Sequence, residues 1–131
     1  MTASNIGVTK TFIAGEALGS YKYCLMVGNG TDLTVTHTTS SISALAVGVL
    51  QDWGLARDPV TGDAVTLVIS GPSKVWLGAT LTEGAIVGPE QATGQAIAVA
   101  AGHYPFGRIT QGGADNEIGE MIVNISPVAK A

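Results

Sequence analysis

Residues 45–70, LAVGVLQDWGLARDPVTGDAVTLVIS, constrain this chain more than any other stretch. An apolar run centred on Gly48 enters a polar loop with Asp-Pro and Thr-Gly steps. The chain then returns with Val65, Leu67 and Ile69 alternating against Ala64, Thr66 and Val68. Period-two alternation after a turn signal is the signature of a β-hairpin. Residues 106–126, FGRITQGGADNEIGEMIVNIS, repeat the plan, with Gly107 in the entering strand and Met121, Val123 and Ile125 alternating on the way back. Gly107 stands 59 positions after Gly48 and Ser126 stands 56 after Ser70, so the second loop is three residues shorter. Loops are where copies of one unit vary.

Upstream, YCLMVG at 23–28 with Leu33 and Val35 parallels AIVG at 85–88 with Ile97 and Val99. The chain therefore reads as two similar four-strand units, about 17–72 and 77–127. Gly71-Pro72 is expected to close the first, since proline cannot continue a central ladder. Residues 74–77 then form a short connector, and Gly28-Asn29-Gly30 is a tight turn. No stretch has a convincing helical period. The expected fold is all-β, a small barrel or sandwich, with an extended N-terminal arm at 1–16 and a single β domain at 17–131.

Composition limits the possible partners. Charged residues are only 12% of the chain, against roughly 25% in ordinary soluble domains. Either the surface is a bland neutral coat, or neighbouring molecules cover much of it; the scarcity of charge favours the second. A net charge of −4 and six scattered basic residues argue against nucleic acid, because phosphate binding needs clustered cations. No apolar run approaches the roughly 20 residues of a membrane span, so no membrane partner is expected. No basic and apolar leader opens the chain, so export by that route is not expected. The single Cys24 lies in an apolar stretch and reads as a small buried hydrophobe.

Chemistry-bearing residues are sparse. His37 and His103 lack a carboxylate or cysteine at metal-ligand spacing. Asp52, Asp58, Asp63, Asp115 and Glu117 scatter through loops with no nucleophile beside them. No catalytic, cofactor-binding or metal site is expected, and no enzyme. Two features suit assembly instead. Trp53, with Arg57 nearby in the long loop, is either a lid on its own core or an interface anchor of the kind that dominates binding hot spots. Ile6, Val8, Phe12 and Ile13 make the arm too apolar for a solvated tail. It either adds a strand to a neighbour's sheet edge or lies as an edge strand on its own domain. Trp76, in an apolar strand, reads as core.

The AVGVL strand at 46–50, the GDAVTLVISG return at 62–71 and the second hairpin running from GRI to IVNI resemble the small capsid decoration (cement) proteins of tailed bacteriophages. The resemblance spans most of residues 14–126 and rests on strand rhythm and glycine placement. It implies a non-enzymatic virion protein on the outer surface of an icosahedral capsid, a homotrimer whose partner is the major capsid protein. A β-barrel module binding carbohydrate or a receptor, from a phage tail or fibre, is the alternative. Few aromatic residues argue mildly against it.

Overall fold

A computed structural model describes residues 7–28, 30–37, 46–53, 57–90, 92–126, 128 and 130. Ile6 and the start of the expected arm lie outside the described residues, as does Asn29 of the expected turn. Nine strands follow in order: β1 (Val8–Ala14), β2 (Leu25–Gly28), β3 (Thr34–His37), β4 (Ala46–Leu50), β5 (Ala64–Trp76), β6 (Ile86–Pro89), β7 (Ala96–Ala98), β8 (Gly107–Gln111) and β9 (Ile118–Val123). The fold is all-β. Their lateral order is β1-β3-β2-β4-β5-β9-β8-β6-β7, and β1 also pairs with β5. That extra pairing closes β1-β3-β2-β4-β5 into a five-strand barrel, with β1 parallel to β3 and antiparallel to β5.

The expected arm is therefore a stave of the first barrel over residues 8–14. Phe12 and Ala14 point inward and are buried, while Val8 and Ile13 face out. Alternate burial of this kind is what a barrel strand requires. A strand bonded to its own barrel cannot also be added to a neighbour's edge.

Gly71-Pro72 does not end the first unit either. Strand β5 runs through it for 13 residues. Its first half pairs with β1 and β4, and residues 71–76 pair with β9. Pro72, which has no N–H, sits where β5 exchanges partners, and Gly71 takes φ +92° to turn the strand. Proline is tolerated at such a ladder break.

The second half of β5 is the counterpart of β1. Val49 pairs with Val68 as Arg108 pairs with Ile122, and Met26 pairs with Gly48 as Val87 pairs with Gly107. Following that register, Gly15 N–H donates to Val35 O at 2.9 Å and Gly78 N–H to Ala96 O at 2.8 Å. Ala14 N–H donates to Asp63 O, and Leu77 N–H to Glu117 O. Tyr23 N–H donates to Leu50 O, and Gly84 N–H to Ile109 O. Left-handed backbone recurs at matched places: Tyr23 with Gly84, Leu33 with Gly94, Gly62 with Asn116. Each unit thus contains five strands, and β5 serves both. Gly48 and Gly107 have one physical reason: a Cβ there would stand 2.2 Å from Val68 O and 1.9 Å from Ile122 O.

Two cores result. Phe12, Ala14, Leu18, Met26, Val35, Leu50 and Leu67 fill the first barrel. Their register equivalents Val75, Leu77, Leu81, Val87, Ala96, Ile109 and Met121 fill the second unit, a looser barrel whose ends pair, among the described residues, only through the single parallel bridge between Leu77 and Ala96. Leu25, Val27, Val49 and Val68, on the outer face of the first barrel, join the second core and fasten the units together. Fully burying such a side chain contributes about 1.5–3 kcal/mol. Backbone bonds reinforce the joint: Trp76 N–H to Tyr23 O at 2.8 Å and Leu25 N–H to Gly94 O at 2.7 Å.

If β1 is a stave, Phe12→Ala should lower unfolding stability in denaturant titration by about 3 kcal/mol. The outward-facing Ile13→Ala should change it by less than about 1 kcal/mol. Equal, small effects would show that the strand is dispensable.

Candidate assembly surfaces

The loop residues singled out from sequence are held within the chain. The Arg57 guanidinium donates to both carboxylate oxygens of Asp63, at 2.7 and 3.1 Å, and to Asp58 O at 3.2 Å. Asp63 also accepts Val60 N–H at 2.9 Å. These hydrogen bonds, from Arg57 first, hold the Asp63 carboxyl below its usual range, and the same pair raises the Arg57 pKa. The matched loop uses the same cap, with Ala114 N–H donating to the Glu117 carboxylate at 2.8 Å. Arg57 is thus first a loop clasp. Trp53 packs half-buried against the first core, with the Lys22 ammonium 5.0 Å from its ring centre and 3.1 Å from Asp52. This geometry is that of a lid.

Two polar networks that sequence spacing did not reveal are also internal. Glu16 accepts from His37 N–H at 2.8 Å and bonds the His37 ring, on which Tyr21 stacks at 3.9 Å. Burial, then the nearby Glu16, raises the Tyr21 pKa. Gln95 donates to Leu77 O and to the Asn116 side chain. Both are satisfied structural networks. Among the described residues, no three His, Cys, Asp or Glu side chains gather as a metal ion would need.

What remains open to a partner is apolar, and the fold assembles it from distant segments. Phe12, Leu33 and Val47 line a groove of about 340 Å³ with Asp32 at its rim. Leu33 is 53% exposed there, and the 41%-exposed Ile13 donates its N–H to Leu33 O. A second groove of about 470 Å³ is formed by Tyr23, Trp76, Ile118 and Lys22. Trp76 is half-buried in it: the alternation that turns Val75 and Leu77 into the second core turns Trp76 the other way, where it packs on the edge of the first core and lines this groove. A third hollow, about 290 Å³, lies among Ile86, Arg108, Ile122 and Asn124. Of the residues picked from sequence, Phe12 lines one of these grooves and Ile13 flanks it, while Val8 is exposed away from all three. Leu33, Trp76, Ile86 and Ile118 were missed because each reads as one apolar residue among many in its strand or turn.

No family model matches the chain, and no curated protein does. Among solved structures, it is similar to the crystal structure of the head fiber gp8.5 N base in bacteriophage phi29. The TM-score is 0.59 at 16% sequence identity, over 95% of this chain and 98% of that one. The likeness is one of fold.

Cys24 is sealed in the first barrel, and burial pushes its thiol pKa up to about 12. Around pH 8, near an ordinary thiol's pKa, the native protein should react with a disulfide reagent only as fast as it unfolds. Prompt reaction in native buffer would contradict the barrel's closure around it.

Proposed function

We propose that this chain is a non-enzymatic structural protein of a phage virion. It sits as a homotrimer on the outer surface of an icosahedral head and stabilises the shell by bridging major capsid protein subunits. The observation that carries this reading is the fold shared, over nearly the whole of both chains, with a head fiber base. The scarcity of charge supports it, as do the shallow, largely apolar grooves, which suit partners that cover surface rather than substrates that enter a cleft. Physically, a protein that binds only the assembled shell stabilises it by mass action.

A second reading has one observation in its favour. Tyr23 and Trp76 line one exposed groove, and two aromatic side chains there favour a carbohydrate- or receptor-binding module of a fibre. Glycan binding lost in Trp76→Ala would select it.

Mass spectrometry of purified particles and a shell-melting assay test the leading reading. The chain should be present in a fixed ratio to the major capsid protein, and adding it to bare shells should raise their disruption temperature. Shells that neither bind it nor gain stability from it would overturn the proposal.

A further inference from the structure

The internal duplication assigns an occupant to the hollow on the second unit. Leu25, Val49 and Val68 stand side by side across β2, β4 and β5 on the outer face of the first barrel. All three are fully buried, because the second barrel covers them. The register places Ile86, Arg108 and Ile122 at the same three positions across β6, β8 and β9. Among the described residues nothing covers this second row: Ile86 is 47% exposed, Arg108 is exposed and Ile122 is half-buried.

The surface that receives the first row has its counterpart too. Leu25 seats on the second barrel at Gly94, in a core that includes Phe106. In the first barrel those positions are Leu33 and Val47, two walls of the 340 Å³ groove. One row and one groove are thus pressed together inside the molecule, and a second row and a second groove are left open on it. The open pair also differs in charge. The row carries Arg108 where the buried row has Val49, and the groove carries Asp32 at its rim. Among the described residues neither forms an ion pair.

We propose that the Ile86–Arg108–Ile122 row of one molecule docks on the Asp32–Leu33–Val47 groove of a second copy. The contact imitates the internal joint without threading into it. In the second barrel the Tyr23–Leu25 segment bonds between Trp76 and Gly94, whereas in the first Ile13 N–H bonds Leu33 O directly and the seam is shut. The copies therefore meet through side chains, with Arg108 facing Asp32. The interface is heterologous: each copy keeps one row and one groove, so copies close into a ring or continue as a chain. This inference does not depend on any capsid, so its failure would leave the virion reading standing.

The test is sedimentation velocity on the free protein with two charge reversals, R108E and D32R, at exposed positions where folding, checked by circular dichroism, should persist. Wild type should self-associate as concentration rises, and each reversal alone should weaken this at least about tenfold. In an equimolar mixture of the two variants every contact between unlike molecules joins opposite charges, Arg108 on Asp32 and the two reversed side chains on each other, so association should be restored by mixing. The double variant, with the charges exchanged, should recover association. Wild type that stays monomeric to about 1 mM would overturn the proposal. So would self-association indifferent to both reversals, or variants that fail to pair when mixed.

Discussion

A five-strand barrel of this size has to hide every strand edge, because unpaired backbone donors and acceptors cannot be left buried. Here the requirement falls on β5. Its first half closes the first barrel against β1, and its second half opens the second unit against β9. The handover takes place at Gly71-Pro72, where a left-handed glycine turns the strand and proline sits at the break between partners. Gly7 N–H donates to Pro72 O at 2.8 Å, so the start of β1 touches the same corner. Were β5 two separate strands, each barrel would need its own closing element. Sharing one strand is what lets two barrels fit in one short chain.

The copies then diverge in ways with physical consequences. Left-handed positions have exchanged glycine for side chains in both directions: Tyr23 against Gly84, Leu33 against Gly94, Gly62 against Asn116. Tyrosine and leucine are costly in that conformation, and each here lies in an exposed apolar groove. The strain is local and sits where a partner would bind, a pattern often associated with functional sites. Gly94 in turn is needed where it stands. A Cβ there would lie 3.1 Å from Leu25 O, in the joint between the units. The two copies have specialised: the row of the first and the groove of the second are covered inside the molecule, while the groove of the first and the row of the second face outward.

Much of the fold was legible from the residues. Alternation located β4, β5, β8 and β9, and the matched Gly48 and Gly107 revealed the duplication through a close backbone approach that only glycine allows. The boundary of the repeat was not legible, for a specific reason. VTKTFIA at 8–14 and GPSKVWL at 71–77 share almost no letters, only an inward-facing apolar residue at 12 and 14 against 75 and 77. A proline inside the second segment also argued for an ending where the strand merely changes partners. The candidate surfaces were less legible still. Arg57 clasps Asp63 and Trp53 packs half-buried against its own core, contacts that their spacing in the loop did not reveal. The exposed grooves combine residues from segments far apart, whose exposure depends on which face of a strand the barrel turns inward.

The central claim is that residues 8–14 and 71–77 are equivalent staves. Amide hydrogen exchange read residue by residue tests it most directly. The amides of Ile13 and Ala14, bonded to Leu33 O and Asp63 O, should be protected to the same order as those of Trp76 and Leu77, bonded to Tyr23 O and Glu117 O. Exchange at Ile13 and Ala14 as fast as in an unstructured peptide, with Trp76 and Leu77 still protected, would contradict it and restore the N-terminal segment to a free arm.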